Sequence, residues 1–154
     1  MGYYKRGKPL TFEDCEALMA TARNRADGKP MANNTRLYDA RLDSFALRLH
    51  DTGVPHLDCF VLRLHDTDVL RIHPDGWEIN SGGWRTVTTR QRLNDFGPVG
   101  ITQRDWAWYV GTPTGDVPFV DWMFVDMSGK VWRNIARYRD SLKQLRHDES
   151  EVVE

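Results

Sequence analysis

The sequence predicts an α+β domain: a mainly antiparallel, twisted β-sheet flanked by N- and C-terminal helices. Three observations carry this. Near both ends of the chain, apolar residues recur at steps of three and four, the spacing of a helix with one buried face. Between those ends the period falls to two, and Pro-Asp-Gly and Ser-Gly turns punctuate it at hairpin spacing. Finally, 154 residues with a formal net charge of −1 make a single domain, 1–154, long enough to bury a core without disulfide or metal staples.

The first helix is expected over about 11–27. Phe12, Cys15, Met19, Ala22 and Ala26 share one face, and Thr11 is its N-cap. Glu13 and Asp14 fall in the first turn, where the helix dipole favours negative charge. Gly28 and Pro30 stop the helix. A β-rich middle follows, about 35–126. Phe45, Leu47 and Leu49 alternate with Ala46, Arg48 and His50, as in a half-buried strand. The chain then repeats itself. DSFALRLHDT at Asp43–Thr52 returns as DCFVLRLHDT at Asp58–Thr67, and Val54 and Val69 continue the match. A spacing of fifteen residues is too short for a solenoid repeat. Two equivalent strands joined through a Gly53–Pro55 turn is the simplest reading, and a local duplication would leave the same sequence.

Val69–Ile72, the turn His73-Pro74-Asp75-Gly76, and Trp77 with Ile79 predict a hairpin. Ser81-Gly82-Gly83 breaks the strand. Thr88 with Gln91 three places on matches a capping box, so a short helix is expected over about 89–95, ended by Gly97-Pro98. Gly100–Arg104 and Trp106–Val110 predict a second hairpin, with Trp106, Trp108 and Val110 on one face. After a Thr112–Gly115 loop, Val120, Trp122 and Phe124 suggest one more strand, closed by Ser128-Gly129. Val131, Ile135, Tyr138, Leu142 and Leu145 then predict a helix over about 130–147 with an arginine-rich outer side, followed by an acidic, fraying tail, 148–154.

The densest chemical signal is SGGWRTVTTRQRLNDF, Ser81–Phe96. Four arginines and one acid lie between Trp84 and Arg104 in a chain otherwise near neutrality. A helix start offers unpaired N–H groups and partial positive charge to a phosphate. Arg85, Thr88, Thr89, Arg90 and Arg92 are therefore the candidate nucleic-acid or phosphate contacts, with Trp84 and Trp106 as stacking surfaces. The bland alternative is a capped helix, a core tryptophan and solvated arginines. Neither P-loop spacing nor GxGxxG is present.

His50, His65 and His73 are the weaker candidates for a metal, because imidazole and carboxylate are competent ligands. Adjacent residues of one strand point to opposite faces, however, so a His-Asp pair does not readily hold one ion. No metal and no cofactor is assigned. Cys15 falls on the apolar face of its helix, and Cys59 stands where the other repeat has Ser44, so both read as small buried side chains. No GxSxG elbow or other catalytic set is legible, and a binding protein is favoured over an enzyme.

A pattern of residues within this region, Leu64, His65, Thr67, Val69, Asp75, Gly76, Asn80, Ser81, Gly82, Gly83, Trp84, Thr86, Thr88, Thr89, Arg92, Asn94 and Trp108-Tyr109-Val110, resembles that of a group of small bacteriophage proteins. The resemblance covers the central half of the chain. It implies a phage origin and action inside a bacterial host, and it brings no activity or catalytic residues with it. The doubled strand and the terminal helices depart from the pattern and inherit nothing.

No apolar run approaches the roughly 18 residues a membrane helix needs. MGYYKRGKPL lacks the apolar core of a signal peptide. The expected location is the cytoplasm, that of the bacterial host for a phage protein. The leading expectation is nucleic-acid binding through the Arg/Thr/Trp patch. A host-directed or anti-defence protein acting through a protein–protein interface is the second, since six tryptophans also suit interface hot spots. A small phosphorylated or nucleotide ligand at the helix start is the third.

Overall fold

The computed structural model describes residues 8–23, 27–40 and 58–152. The first copy of the repeat, with the expected strand Phe45–Leu49, His50 and the Gly53–Pro55 turn, lies outside the described residues, as does Ala26. Helix α1 is Phe12–Ala20. Thr11 and Asp14 cap it reciprocally: each backbone N–H donates to the other side chain at 3.1 Å. The helix stops short of the expected end because Thr21 turns its hydroxyl and its N–H back onto the Leu18 carbonyl.

Strands β1 (Lys29–Ala32), β2 (Thr35–Asp39), β3 (Phe60–Leu64), β4 (Thr67–His73) and β5 (Gly76–Ile79) form an antiparallel run. The second copy of the repeat supplies β3 and the turn into β4. Asn34 and His65, in the β1–β2 and β3–β4 turns, adopt left-handed backbone at φ 54° and 56°. The Pro-Asp-Gly signal does close the β4–β5 hairpin, with His73 opposite Gly76.

The chain then leaves the sheet for helix α2 (Val87–Phe96) and a separate meander, β6 (Ile101–Arg104), β7 (Ala107–Thr112) and β8 (Gly115–Pro118). It returns as β9 (Met123–Asp126), which pairs with β5, and ends in β10 (Val131–Trp132) and helix α3 (Ile135–Val152). The fold is α+β, and the described residues form sheets of seven and three strands. No helix among the described residues is long and apolar enough to cross a membrane.

One face of the large sheet forms the main core. Leu37, Phe60, Leu62, Leu70, Ile72, Trp77, Ile79 and Val125 meet Cys15 and Met19 of α1, Leu93 of α2, and Ile101, Trp108 and Val110 of the meander. Burying each such large side chain is worth about 1.5–3 kcal/mol. Trp77 enters this layer by donating its ring N–H to the Leu10 carbonyl at 2.8 Å. On the other face, Phe124 stacks on Tyr138 of α3 at 4.7 Å.

Four expectations change. Thr86, not Thr88, caps α2: its hydroxyl accepts from the Thr89 N–H at 3.2 Å, which lets Thr89 and Leu93 share the buried side. Trp106 does not share a strand face with Trp108. It sits with Asp105 in a two-residue turn, φ 50° and 69°, between the paired Arg104 and Ala107. Trp122 is likewise in a left-handed turn (φ 65°) held by its N–H to the Ile79 carbonyl at 2.7 Å, so that strand begins only at Met123. Val131 and Trp132 pair with β9 and delay α3, which then runs on to Val152 through the segment expected to fray.

Candidate ligand cleft

The turn from β5 to α2 is organised around Ser81. Ser81 donates both its N–H and its hydroxyl to Asp121 Oδ1, at 2.9 and 2.6 Å. Its hydroxyl oxygen accepts from the Gly83 N–H at 3.2 Å, and its carbonyl accepts from the Trp84 N–H at 3.1 Å. Gly82 and Gly83 take φ 66° and 81°. A side chain at Gly82 would also collide with the Thr67 methyl. Glycine is thus demanded twice over at that position, by conformation and by space. The outcome is a Trp84 ring held at the surface, 68% exposed.

Trp84 borders a cleft of about 460 Å³. Leu64, Thr67 and Val69 of the sheet, Asn34 and His65 of the neighbouring turns, and Ser81, Thr86, Thr88 and Thr89 complete its lining. The His65 N–H donates to the Asn34 carbonyl at 2.6 Å and so ties the two turns together. The first turn of α2 carries no acid. Its Val87 and Thr88 N–H groups have no intrahelical carbonyl to reach. The cleft therefore offers hydroxyls, an imidazole, an amide and one indole face over a partly apolar floor. Volumes of this order suit a small molecule.

Of the expected site residues, the fold brings together Trp84, Thr88 and Thr89. The others go elsewhere. The Arg85 guanidinium lies 5.4 Å from the Phe119 ring centre and 5.9 Å from that of Trp108, beside the meander. Arg92 is a strut. Its Nε donates to the Thr35 hydroxyl at 2.9 Å and its Nη2 to the Asn33 carbonyl at 3.4 Å, while Asp95 lies 3.7 Å from Nη1. Arg90 is half-buried and lines none of the cleft, and Trp106 stands at the β6–β7 tip, 91% exposed.

Asn34, His65, Thr67, Ser81 and Thr86 were not foreseen as one site. Asn33-Asn34 and His65-Asp66 are turn dipeptides, a visible signal, but nothing local says that those turns face α2.

His73 is buried and hydrogen-bonded to Glu78 at 2.8 Å, whereas His65 sits on the cleft rim. Among the described residues no three His, Cys, Asp or Glu side chains converge as metal ligands. Burial pushes the Cys59 thiol up to about 12 and raises that of Cys15 further still, so neither is a thiolate near neutrality.

No curated protein and no solved structure matches the chain. A family model described as the Kyanoviridae Gp96 protein matches residues 14–132, from the first turn of α1 to the end of β10. That span is well over half of the chain and includes every residue lining the cleft, and the protein accordingly belongs to the Kyanoviridae Gp96 bacteriophage family.

Proposed function

We propose that this phage protein is a non-catalytic accessory factor that binds a nucleotide unit in the Trp84 cleft, inside the host cytoplasm. One observation carries the reading: an exposed indole face and the open first turn of α2 border the same cleft. A base stacks on the ring, which is worth about 1–3 kcal/mol. A phosphate meets the Val87 and Thr88 N–H groups and the threonine hydroxyls. None of Arg85, Arg90 and Arg92 lines the cleft, which favours a compact ligand over an extended nucleic-acid backbone. A thermal-shift series with nucleotides tests this. A ligand at 100 times its dissociation constant stabilises by about 2.7 kcal/mol, and Trp84→Ala removes the shift. No shift with any nucleotide would sink the reading.

Capture of a host protein is the second reading, and Trp106 favours it. A 91% exposed tryptophan on left-handed backbone is a poor choice for a hairpin unless it meets something. Pull-down from nuclease-treated lysate with the wild type and Trp106→Gly tests it. A partner held equally by both proteins argues against this role.

A further inference from the structure

We propose that the Trp84 cleft is one of two adjoining subsites, and that the ligand is a phosphodiester-linked pair of nucleotides whose linkage crosses His65. This rests on the nucleotide reading above. A second hollow, of about 530 Å³, adjoins the first across the β1–β2 and β3–β4 turns. Asn34 and His65 line both hollows. Their backbones are left-handed, at φ 54° and 56°, and are fixed to each other by the 2.6 Å bond from the His65 N–H to the Asn34 carbonyl. Left-handed backbone is what two-residue hairpin turns require, and the bond between the two turns holds the pair in place. The shared turns thus form a fixed ridge, with the His65 side chain exposed on it.

The chemistry beyond the ridge complements a second nucleotide. Arg36 is anchored by Nη1 to the Asp27 carbonyl at 3.1 Å, and its guanidinium fork suits phosphate oxygens. The Asp66 carboxylate accepts from a sugar hydroxyl or a base amino group, as carboxylates do in nucleotide sites. Tyr38 adds a ring wall. Each hollow is of a size that takes one small unit. A ligand filling both must pass its linker over the imidazole and the Asn34 amide.

Mononucleotides of all four bases, the matching 5′-phosphorylated dinucleotides and a ten-nucleotide single strand are titrated by calorimetry against the whole protein. Arg36→Ala and Asp66→Asn provide variants that line the second hollow and leave the lining of the Trp84 cleft intact, and circular dichroism verifies their fold. The expected result is a dinucleotide bound at least about tenfold tighter than its mononucleotide, with both variants reducing it to mononucleotide affinity. Equal affinity for dinucleotide and decamer also supports a two-unit site, taken either free or as a strand end. The inference is overturned if mono- and dinucleotide bind alike, if neither variant matters, or if the decamer binds tenfold tighter than the dinucleotide. Failure of every nucleotide to bind instead removes the underlying nucleotide reading.

Discussion

Ser81 gives both of its donors to a single oxygen of Asp121, forty residues further along the chain, at 2.9 and 2.6 Å. Through this one carboxylate the turn before β9 fixes the turn that carries Trp84. Asp121→Ala leaves the buried Ser81 without its acceptor, a loss of about 1–3 kcal/mol. Urea titration should show that loss. If the cleft binds nucleotides as proposed, that affinity should fall as well, because the indole is no longer held at the cleft.

The two neighbouring glycines should respond unequally to alanine. Gly83→Ala meets no atoms but carries left-handed backbone, a cost of about 1–2 kcal/mol. Gly82→Ala carries the same strain and drives its new methyl into Thr67. Thermal unfolding should rank Gly82→Ala clearly below Gly83→Ala. Equal melting temperatures would mean that the loop moves aside freely.

Trp106 and Trp108 are two places apart and should behave oppositely. Trp108 is buried and packs edge-on against Phe119 at 5.3 Å, so Trp108→Ala should cost about 3–5 kcal/mol. Trp106→Gly removes an exposed ring and relieves left-handed strain. Its stability should be unchanged or higher by up to about 1 kcal/mol. Denaturant midpoints for the two variants decide this.

Asp126 sets an acid limit. Burial pushes its carboxyl up, but hydrogen bonds from the Ser128 hydroxyl, the Trp132 ring N–H and the Lys130 and Ser128 N–H groups outweigh it, holding the group below its ordinary value. A depressed carboxyl stabilises fully above its unfolded value, near 3.8, and that contribution is lost as pH falls through the folded value. Asp126→Asn should therefore be less stable than the wild type at neutral pH, with the gap closing under acid. A pH series of melting temperatures measures the gap.

Much of the framework was legible because its causes are local. The Thr11 cap and the Cys15–Met19 face depend on residues three and four apart, which are neighbours on one helix. The His73–Gly76 hairpin is encoded by four consecutive residues. Trp106 failed as a strand residue because period-two counting does not register where a two-residue turn interrupts it. Thr88 yielded to Thr86 because either threonine satisfies the local capping rule, and burial of Leu93 and Thr89 settled between them.

The site divides in the same way. The chain's own pattern of glycines, threonines and Trp84 placed a polar, aromatic surface at the opening of α2. Its depth and its opposite wall came from long-range strand pairing, which carries Asn34 and His65 to within reach of Thr86 and Thr88. The same packing diverted Arg92 onto Thr35, fifty-seven positions away, and Arg85 towards the meander. Helical periods and caps arise between neighbours along the backbone. Where a charged side chain ends depends on which acceptor the folded sheet brings within about 3 Å, and no stretch of linear sequence contains that distance.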